Sequence, residues 1–390
     1  MKTSSANCFV IIFFLAILAG PPLLQIVVEA QRGEWPAALQ VFKQRPTPEN
    51  LRAYENSLQN ASVAARSLRP KMQALQFFML RDAGEKALVG PDGWLFYQPG
   101  IGYLTQRPRP GDSTAQEAAA AAIRFRDDLA ARGIHLIVTP APNKESVYPD
   151  KLSRCAAPPS DVLSKETSSF LAQCQAAGIE VVDLFGLYRD TRKSSTELLY
   201  LEQDSHWSPA GMEIAANVVA GRVFQRGWLA PGTISYDLHP APIQEIGDLV
   251  RMIRSPEIEA RVVPQAIAAS QVVRRDTGAL FTDDPSPEVL VLGDSFLRIY
   301  ERDAPGSAGF VAHLARKFGR PVAGIINDGG ASTLVRQELF RRPRLLARAK
   351  VVVWEFVERD IRLGTEGWQI VPLPPVKAAS EPVPRAEKTR

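Results

Sequence analysis

The chain has 390 residues, 45% of them hydrophobic and 23% charged, which is ordinary for a globular protein and enough for one large or two ordinary domains. A formal net charge of +4 is too small to argue for a nucleic-acid partner, and no block of five or six like charges occurs.

Lys2 precedes an apolar run from Phe9 to Ala19, then Gly20-Pro21-Pro22, then a second apolar run from Leu23 to Val28. Together they approach the roughly 20 residues of a membrane span. Val28-Glu29-Ala30 also fits a signal-peptidase site, with small residues at the required places. Residues 1–30 are expected to be a cleaved signal peptide or an uncleaved anchor, and either exports the rest of the chain; a buried core helix is the structural alternative. Cys8 lies in this segment. Cys155 and Cys174 are left as an even pair in an oxidising compartment, where a disulfide between them is expected, with two buried thiols as the alternative.

A helical arm is expected over residues 31–88. Pro48-Glu49-Asn50 suits a first turn; Leu51, Tyr54, Leu58, Val63 and Leu68 recur at helical spacing, and Pro70 is expected to break the helix in two. Pro91-Asp92-Gly93 is a turn, and the aromatic run behind it suits a strand or hairpin, with Trp94 and Phe96 read as core. Thr114 to Arg132 is an Ala-rich helix closed by Gly133, followed by a strand from Ile134 to Thr139 and a loop over Pro140–Lys144. Ser160 or Asp161 is expected to cap a helix to Ala177, and Ile179 to Leu184 is the next strand. Tyr200 to Trp207 is a loop, and Ser208-Pro209 opens a helix to about Phe224. The Pro-rich stretch from Gly227 to Pro287, which includes Gly247-Asp248-Leu249, carries no clear period. Strands come next at Val289–Leu292, Val322–Ile326 and Val351–Val357, with helices near 308–318 and 334–349 between them. Alternation at this spacing predicts an α/β fold with a parallel sheet flanked by helices. The catalytic domain is placed at 89–368. The tail over 369–390, with five prolines after Gln369 and many charges, is expected to be disordered.

The chemistry centres on Glu288-Val-Leu-Val-Leu-Gly293-Asp294-Ser295-Phe296. A buried parallel strand ends in Gly293, whose missing side chain permits a sharp turn, and Ser295 stands just past the carboxyl end, where α/β sheets collect their catalytic groups. A serine hydroxyl is a weak nucleophile and needs a base. Among four histidines, His206 lies in Asp204-Ser205-His206-Trp207. Residues i and i+2 of an extended segment point to one side, so Asp204 can orient and charge-stabilise His206 while His206 takes the Ser295 proton. The structural alternative has Ser295 as a helix cap and His206 as a satisfied loop histidine.

These blocks resemble known ones. Gly293-Asp294-Ser295-Phe296 is similar to the nucleophile block of the SGNH hydrolase superfamily, and Asp204-Ser205-His206-Trp207 to that of the periplasmic alginate O-acetyltransferases and related exopolysaccharide-acetylation proteins. Asp92-Gly93-Trp94-Leu95-Phe96, Pro142-Asn143-Lys144 with Tyr148-Pro149, and Trp354-Glu355-Phe356 with Glu358-Arg359 extend the resemblance over roughly residues 50 to 362. Acid and base lie two apart and before the serine, rather than three apart and after it, which is the circularly permuted order of the acetyltransferase group. The resemblance implies an SGNH-like fold and transfer of acetyl groups to hydroxyls of a secreted polysaccharide in the periplasm. It further implies an acetyl-serine intermediate, a membrane-bound acyltransferase partner as acetyl donor and other exopolysaccharide assembly proteins as partners. No cofactor and no metal is expected. Asn327 matches the superfamily's Asn block, and Lys144, Tyr148, Tyr300 and Arg359 are candidates to line a glycan cleft, with surface charge or core aromatic as their alternative. A polysaccharide acetylesterase with the same triad and a non-catalytic glycan-binding assembly protein are the competing readings.

Overall fold

A computed structural model of the chain describes residues 5–43, 45–155 and 163–375. The chain divides into two compact units, one of residues up to Gly84 together with Ile253–Val262, the other of Glu85–Met252 and the residues from Val263 onward.

In the first unit, helix α1 (Ser5–Gln31) contains a stretch, Asn7–Gln31, of mean hydropathy 2.4, long and apolar enough to cross a membrane. Its large apolar side chains from Phe9 to Leu24 are exposed, whereas Gln25 and Glu29 are buried. Gln25 donates to Glu29 (2.7 Å), Glu29 accepts from the Ala37 N–H (2.9 Å) and Gln25 Oε1 accepts from the Val63 N–H (2.8 Å). Helix α2 (Pro48–Ala61) starts at Thr47, whose hydroxyl accepts from the Asn50 N–H. Helix α3 (Val63–Leu75) comes next and widens into a π-turn over Gln76–Leu80. The break expected at Pro70 falls instead at Ser62, whose side chain caps the new helix by accepting from the Ala65 N–H. Pro70 sits inside α3, and its carbonyl accepts from Ser255 Oγ (3.1 Å).

The second unit opens with an antiparallel pair, β1 (Ala87–Val89) and β2 (Leu95–Tyr97), joined through the Pro91–Gly93 turn. The chain then builds β3 (His135–Ala141) and β4 (Glu180–Val181). Four short strands come next, β5 (Tyr236–Pro240), β6 (Ile243–Glu245), β7 (Gln265–Ile267) and β8 (Ser270–Arg274). The last three are β9 (Val289–Gly293), β10 (Val322–Ile326) and β11 (Val351–Val357). Strands β3, β4, β9, β10 and β11 form one parallel sheet in the order β10-β9-β11-β3-β4. Alternate residues of each strand enter opposite cores. Val289, Val291, Val351 and Val353 pack with Trp207, Phe296 and the helix Pro209–Gln225 on one face; Leu290, Leu292, Val352 and Trp354 pack with Phe125, Phe170 and Leu339 on the other. Both faces are covered, which is why these strands read as unbroken apolar runs rather than alternating ones.

The expected flanking helices are present with shifted ends. Thr114 caps Ala115–Ala130 with Glu117 in a reciprocal capping box. The predicted caps Ser160 and Asp161 lie outside the described residues; Ser164 caps the helix Lys165–Ala176. Strand β4 is two residues long because Asp183 caps a further helix, Leu184–Ser194, which uses residues expected in the strand. Pro343 ends the helix Leu334–Arg341 before its expected limit. The unpatterned stretch forms two antiparallel pairs, β5 with β8 and β6 with β7, and the short helices Asp248–Met252 and Pro256–Glu259. Residues 376–390 of the expected disordered tail lie outside the described residues; before them Gln369 N–H donates to Thr333 Oγ1 and Pro374 O accepts from Arg132.

The expected disulfide is not formed. Cys155 is exposed, whereas Cys174 is buried in the helix Lys165–Ala176 among Phe170, Leu171 and Phe125, and both thiols are free. One side chain faces solvent and the other the core, so they do not meet.

Candidate active site

The site is assembled where β9 ends. Gly293 is the last strand residue, and a Cβ there would lie 2.5 Å from both Glu355 Oε2 and Leu297 Cδ1, so the turn is packed too tightly for any side chain. Asp294 locks the turn: its Oδ1 accepts from the Phe296 N–H (2.9 Å) and its Oδ2 from the Val357 N–H (3.1 Å), which ties β9 to the end of β11. Ser295 is thereby presented, half-buried, at the first position of the short helix Ser295–Arg298.

The loop Tyr200–Trp207 brings the other two groups. Its ends pair with each other, Tyr200 against Trp207, and the Ser208 N–H donates to Leu199 O. Trp207 is fully buried, stacks on Phe310 and meets Phe296 edge-on, so the loop is anchored next to the serine turn. His206 Nε2 lies 2.8 Å from Ser295 Oγ, and His206 Nδ1 lies 2.6 Å from Asp204 Oδ1, which also accepts from the His206 N–H (3.0 Å). Serine, histidine and aspartate thus form one continuous hydrogen-bonded line, and the His206 ring is held at its other side by the edge of Phe296 at 4.9 Å.

A further carboxylate stands behind this line. Asp248 receives the Ser205 N–H on Oδ1 (2.7 Å) and the Ser205 hydroxyl on Oδ2 (2.6 Å), while its own N–H donates to Asp204 Oδ2 (2.8 Å). Its Oδ2 is 3.7 Å from His206 Nδ1. Gly247 makes this approach possible: a Cβ there would sit 2.1 Å from Gln203 O. Asp248 carries no sequence signal. It lies 44 residues beyond Asp204 in a stretch without period, and only Gly247-Asp248 at a helix start marks it.

Burial dominates the electrostatics. It opposes an imidazolium at His206, but the charge and hydrogen bond of Asp204 outweigh it and the His206 pKa is raised. Burial likewise opposes a charged Asp204, yet the interaction with His206 holds that carboxyl well below its usual range. Burial, then the Asp204 charge, push Asp248 up to about 6, because the His206 charge and the two Ser205 hydrogen bonds offset them only in part. Burial also raises Asp294, and burial with the Asp294 charge keeps Glu355 well above the ordinary carboxyl range. The ligand atoms of Asp204, His206 and Asp248 lie within 4.8 Å of one another. Each is already engaged by Ser205, Ser295, Asp248 or its neighbour in the line, so this donor set does not fit a metal ion.

Three of the candidate glycan contacts are structural. Lys144 is buried, and its ammonium donates to Leu95 O (2.6 Å), Glu202 O (2.8 Å) and Asp204 O (3.0 Å). It fastens the base loop to β2, and burial lowers its pKa to about 8. The buried Tyr148 hydroxyl accepts from the Leu199 N–H (2.9 Å). The buried Tyr300 hydroxyl donates to Trp207 O (3.1 Å). All three are buried and hydrogen-bonded within the chain, so they frame the site rather than line it. Asn327 and Arg359 are half-buried. The Asn327 N–H donates to Gly293 O (3.0 Å), which seats it beside the serine turn, with Oδ1 accepting from the Gly329 N–H. The Arg359 guanidinium lies over the Tyr97 ring at 5.0 Å, and the Arg359 backbone N–H donates to Asn143 Oδ1 (3.3 Å).

A family model described as SGNH hydrolase-like domain, acetyltransferase AlgX, matches residues 87–358. The chain belongs to that family. It is similar to the probable alginate O-acetylase AlgJ of Pseudomonas aeruginosa, with 23% identity over 75% of each chain, and to that of Pseudomonas putida, with 26% identity over 73% of each. The solved O-acetyltransferase domain of Pseudomonas putida AlgJ superposes with a TM-score of 0.55 at 23% identity, covering 70% of this chain and 91% of that domain. Pseudomonas aeruginosa AlgX superposes at 0.50 with 19% identity, covering 70% of this chain and 61% of that one. These likenesses establish the SGNH-like fold, and the family makes the chain an acyltransferase of SGNH type. In this SGNH-type chain the matched region contains Ser295, His206, Asp204 and Asp248 and stops at Glu358, one residue before Arg359.

Proposed function

We propose that the chain is an O-acetyltransferase that moves an acetyl group through Ser295 to a hydroxyl of a secreted polysaccharide, and that this polysaccharide is alginate, the polymer named for its relatives. The unbroken hydrogen-bonded line from Ser295 through His206 to Asp204 carries this reading. Ser295 Oγ attacks the acetyl carbonyl of the donor while His206 Nε2 takes the hydroxyl proton. The proton then goes to the leaving group, and the acetyl-serine ester remains. A sugar hydroxyl next gives its proton to His206 and attacks the ester, releasing acetylated sugar and restoring Ser295. Asp204 stabilises the imidazolium in both halves. The Ser295 N–H is the first donor for the tetrahedral oxyanion, and Asn327 beside Gly293 is the second candidate. Arg359, with a half-exposed guanidinium on Tyr97, is the proposed glycan contact.

The catalytic domain is assigned to 89–368, acting in the periplasm with residues 1–30 as anchor or cleaved signal. A membrane-bound acyltransferase supplies the acetyl group there, and other exopolysaccharide assembly proteins are its neighbours. The test loads the enzyme from a chromogenic acetyl ester, adds oligosaccharides of alginate and of other polymers, and compares acetylated sugar with free acetate. Acetylated alginate fragments, lost with Ser295→Ala along with several orders of magnitude in ester turnover, are expected. Free acetate as the sole product with every oligosaccharide would replace the transferase by an esterase, and equal rates for the Ser295→Ala protein would remove the nucleophile.

A further inference from the structure

Helix α3 and the π-turn that follows it carry an apolar stripe that faces solvent. Leu68, Met72, Leu75 and Met79 recur at spacings of four, three and four residues, which places them on one helical face, and they are 58%, 51%, 51% and 72% exposed. Phe78 and Leu80 extend it, also exposed. A contiguous apolar surface of this kind marks an interaction site rather than ordinary surface composition. The opposite side of α3 is occupied: Ala74 is buried, and the Gln73 side chain donates to Ile253 O within the same unit.

The segment that carries the stripe is basic, and its neighbours in space add both signs: Glu257 and Arg261 line one cleft with Lys71, Leu75, Phe78 and Met79. Residues 56–81 contain Arg66, Arg69, Lys71 and Arg81 and no aspartate or glutamate. At about 100° per residue, Arg69 and Lys71 fall on either side of the stripe. With Arg69, Lys71 and Arg261 against Glu257 this face is cationic in balance, and an anionic lipid surface complements it. The start of α3 is also tied to the membrane helix. The exposed apolar surface of α1 continues to Val27 and is interrupted at Gln25, which is buried and accepts from the N–H of Val63, the first residue of α3.

We propose that the segment from Val63 to Leu80 lies in the interface of an anionic bilayer, its stripe among the upper acyl chains and Arg69 and Lys71 among the headgroups. This contact is separate from α1 and persists if the chain is cleaved after Ala30.

The test uses the full chain in vesicles of phosphatidylcholine alone and of phosphatidylcholine with phosphatidylglycerol. A nitroxide is placed at Met72→Cys or Met79→Cys on the stripe, and at Arg66→Cys on the far face, in a Cys8→Ser, Cys155→Ser background; Leu68→Cys replaces either stripe position if that variant's thermal unfolding midpoint falls. On the stripe, relaxation by oxygen should exceed relaxation by a water-soluble nickel chelate when phosphatidylglycerol is present, with the ratio inverted at Arg66→Cys. The stripe preference should be lost with Arg69→Glu and Lys71→Glu. Nickel access to the stripe equal to that at Arg66→Cys in both lipids would overturn the proposal. So would dipolar broadening between labels on two chains, which would place a second copy on the face. Protection that ignores both phosphatidylglycerol and the charge reversals would overturn it as well.

Discussion

The imidazole of His206 has two carboxylates near its Nδ1, Asp204 at 2.6 Å and Asp248 at 3.7 Å. Only the first is legible in the sequence, because an acid two residues from a base needs nothing more than an extended loop to reach it. Ser295 is legible for a similar reason, since a buried strand that stops at Gly293 leaves its successors at the sheet's edge. Asp248 reaches the site by a tertiary contact through Gly247, which no local pattern announces. Lys144 misleads because a lysine at a strand end resembles a cleft residue until its three carbonyl partners are seen. Both aspartate charges raise the His206 pKa, and His206 must be neutral to accept the serine proton. Replacing Asp248 by Asn keeps an acceptor for the Ser205 N–H but removes one of those charges. The acid limb of kcat/KM for ester hydrolysis should therefore move to lower pH in Asp248→Asn, and an unmoved limb would separate Asp248 from the electrostatics of the site. Stability carries the opposite face of the same effect. A carboxyl raised to about 6 contributes stability that is present at low pH and fades as pH rises through that value. The gain of the variant in unfolding midpoint relative to the unsubstituted chain should accordingly be larger at pH 8 than at pH 5, and should vanish only below the ordinary aspartate range.

Among elements, the sheet is the most legible part of the fold. Strands β9, β10 and β11 are buried on both faces, so their runs of Val, Leu and Ile can be read without knowing their neighbours. The small strands β5 to β8 cannot, because each is at most five residues long, belongs to a two-stranded sheet and is only partly buried, with Pro240 closing β5 and Pro264 standing just before β7. Yet this illegible region supports the site: Gly247 backs directly onto the loop that holds Asp204 and His206. A methyl group at Gly247 would overlap Gln203 O at 2.1 Å and Asp204 N at 2.7 Å, both backbone atoms that yield only if the loop moves. Gly247→Ala should therefore cost ester turnover, through a displaced His206, as well as stability. Gly221 is the control. It lies within the helix Pro209–Gln225, and a Cβ added there would meet nothing within 4 Å, so Gly221→Ala should stabilise by about 0.5–1 kcal/mol and leave turnover unchanged. Urea midpoints and ester hydrolysis of the two variants make the comparison, and a Gly247→Ala protein of full activity would show that the loop tolerates the shift.

For the molecule as a whole, the two-unit division is half visible in the sequence. The export segment and the helical arm stand apart there, but the return of Ile253–Val262 to the arm's unit does not, since it comes about 170 residues after Gly84 from within the other unit. The cysteines show the same limit of compositional reasoning. An even pair in an exported chain argues for a bridge, but the fold assigns the two thiols to different environments. Cys155 is exposed near the end of the segment that precedes residues 156–162, and Cys174 is fully buried in the second core, where burial pushes its pKa up to about 12. A thiol with that pKa is almost wholly protonated at neutral pH and is shielded from reagents besides, so it reacts only when the core opens. Iodoacetamide applied to the folded full-length chain at neutral pH should modify Cys155 within the time that leaves Cys174 untouched, and added denaturant should bring Cys174 into reaction. Mass spectrometry of the digests measures both. Equal labelling of the two cysteines in the native chain would contradict the burial of Cys174. A Cys155–Cys174 linked peptide from non-reduced chain recovered after export would show that the helix Lys165–Ala176 can turn its inner face toward Cys155, and that compartment, rather than packing, decides the pairing.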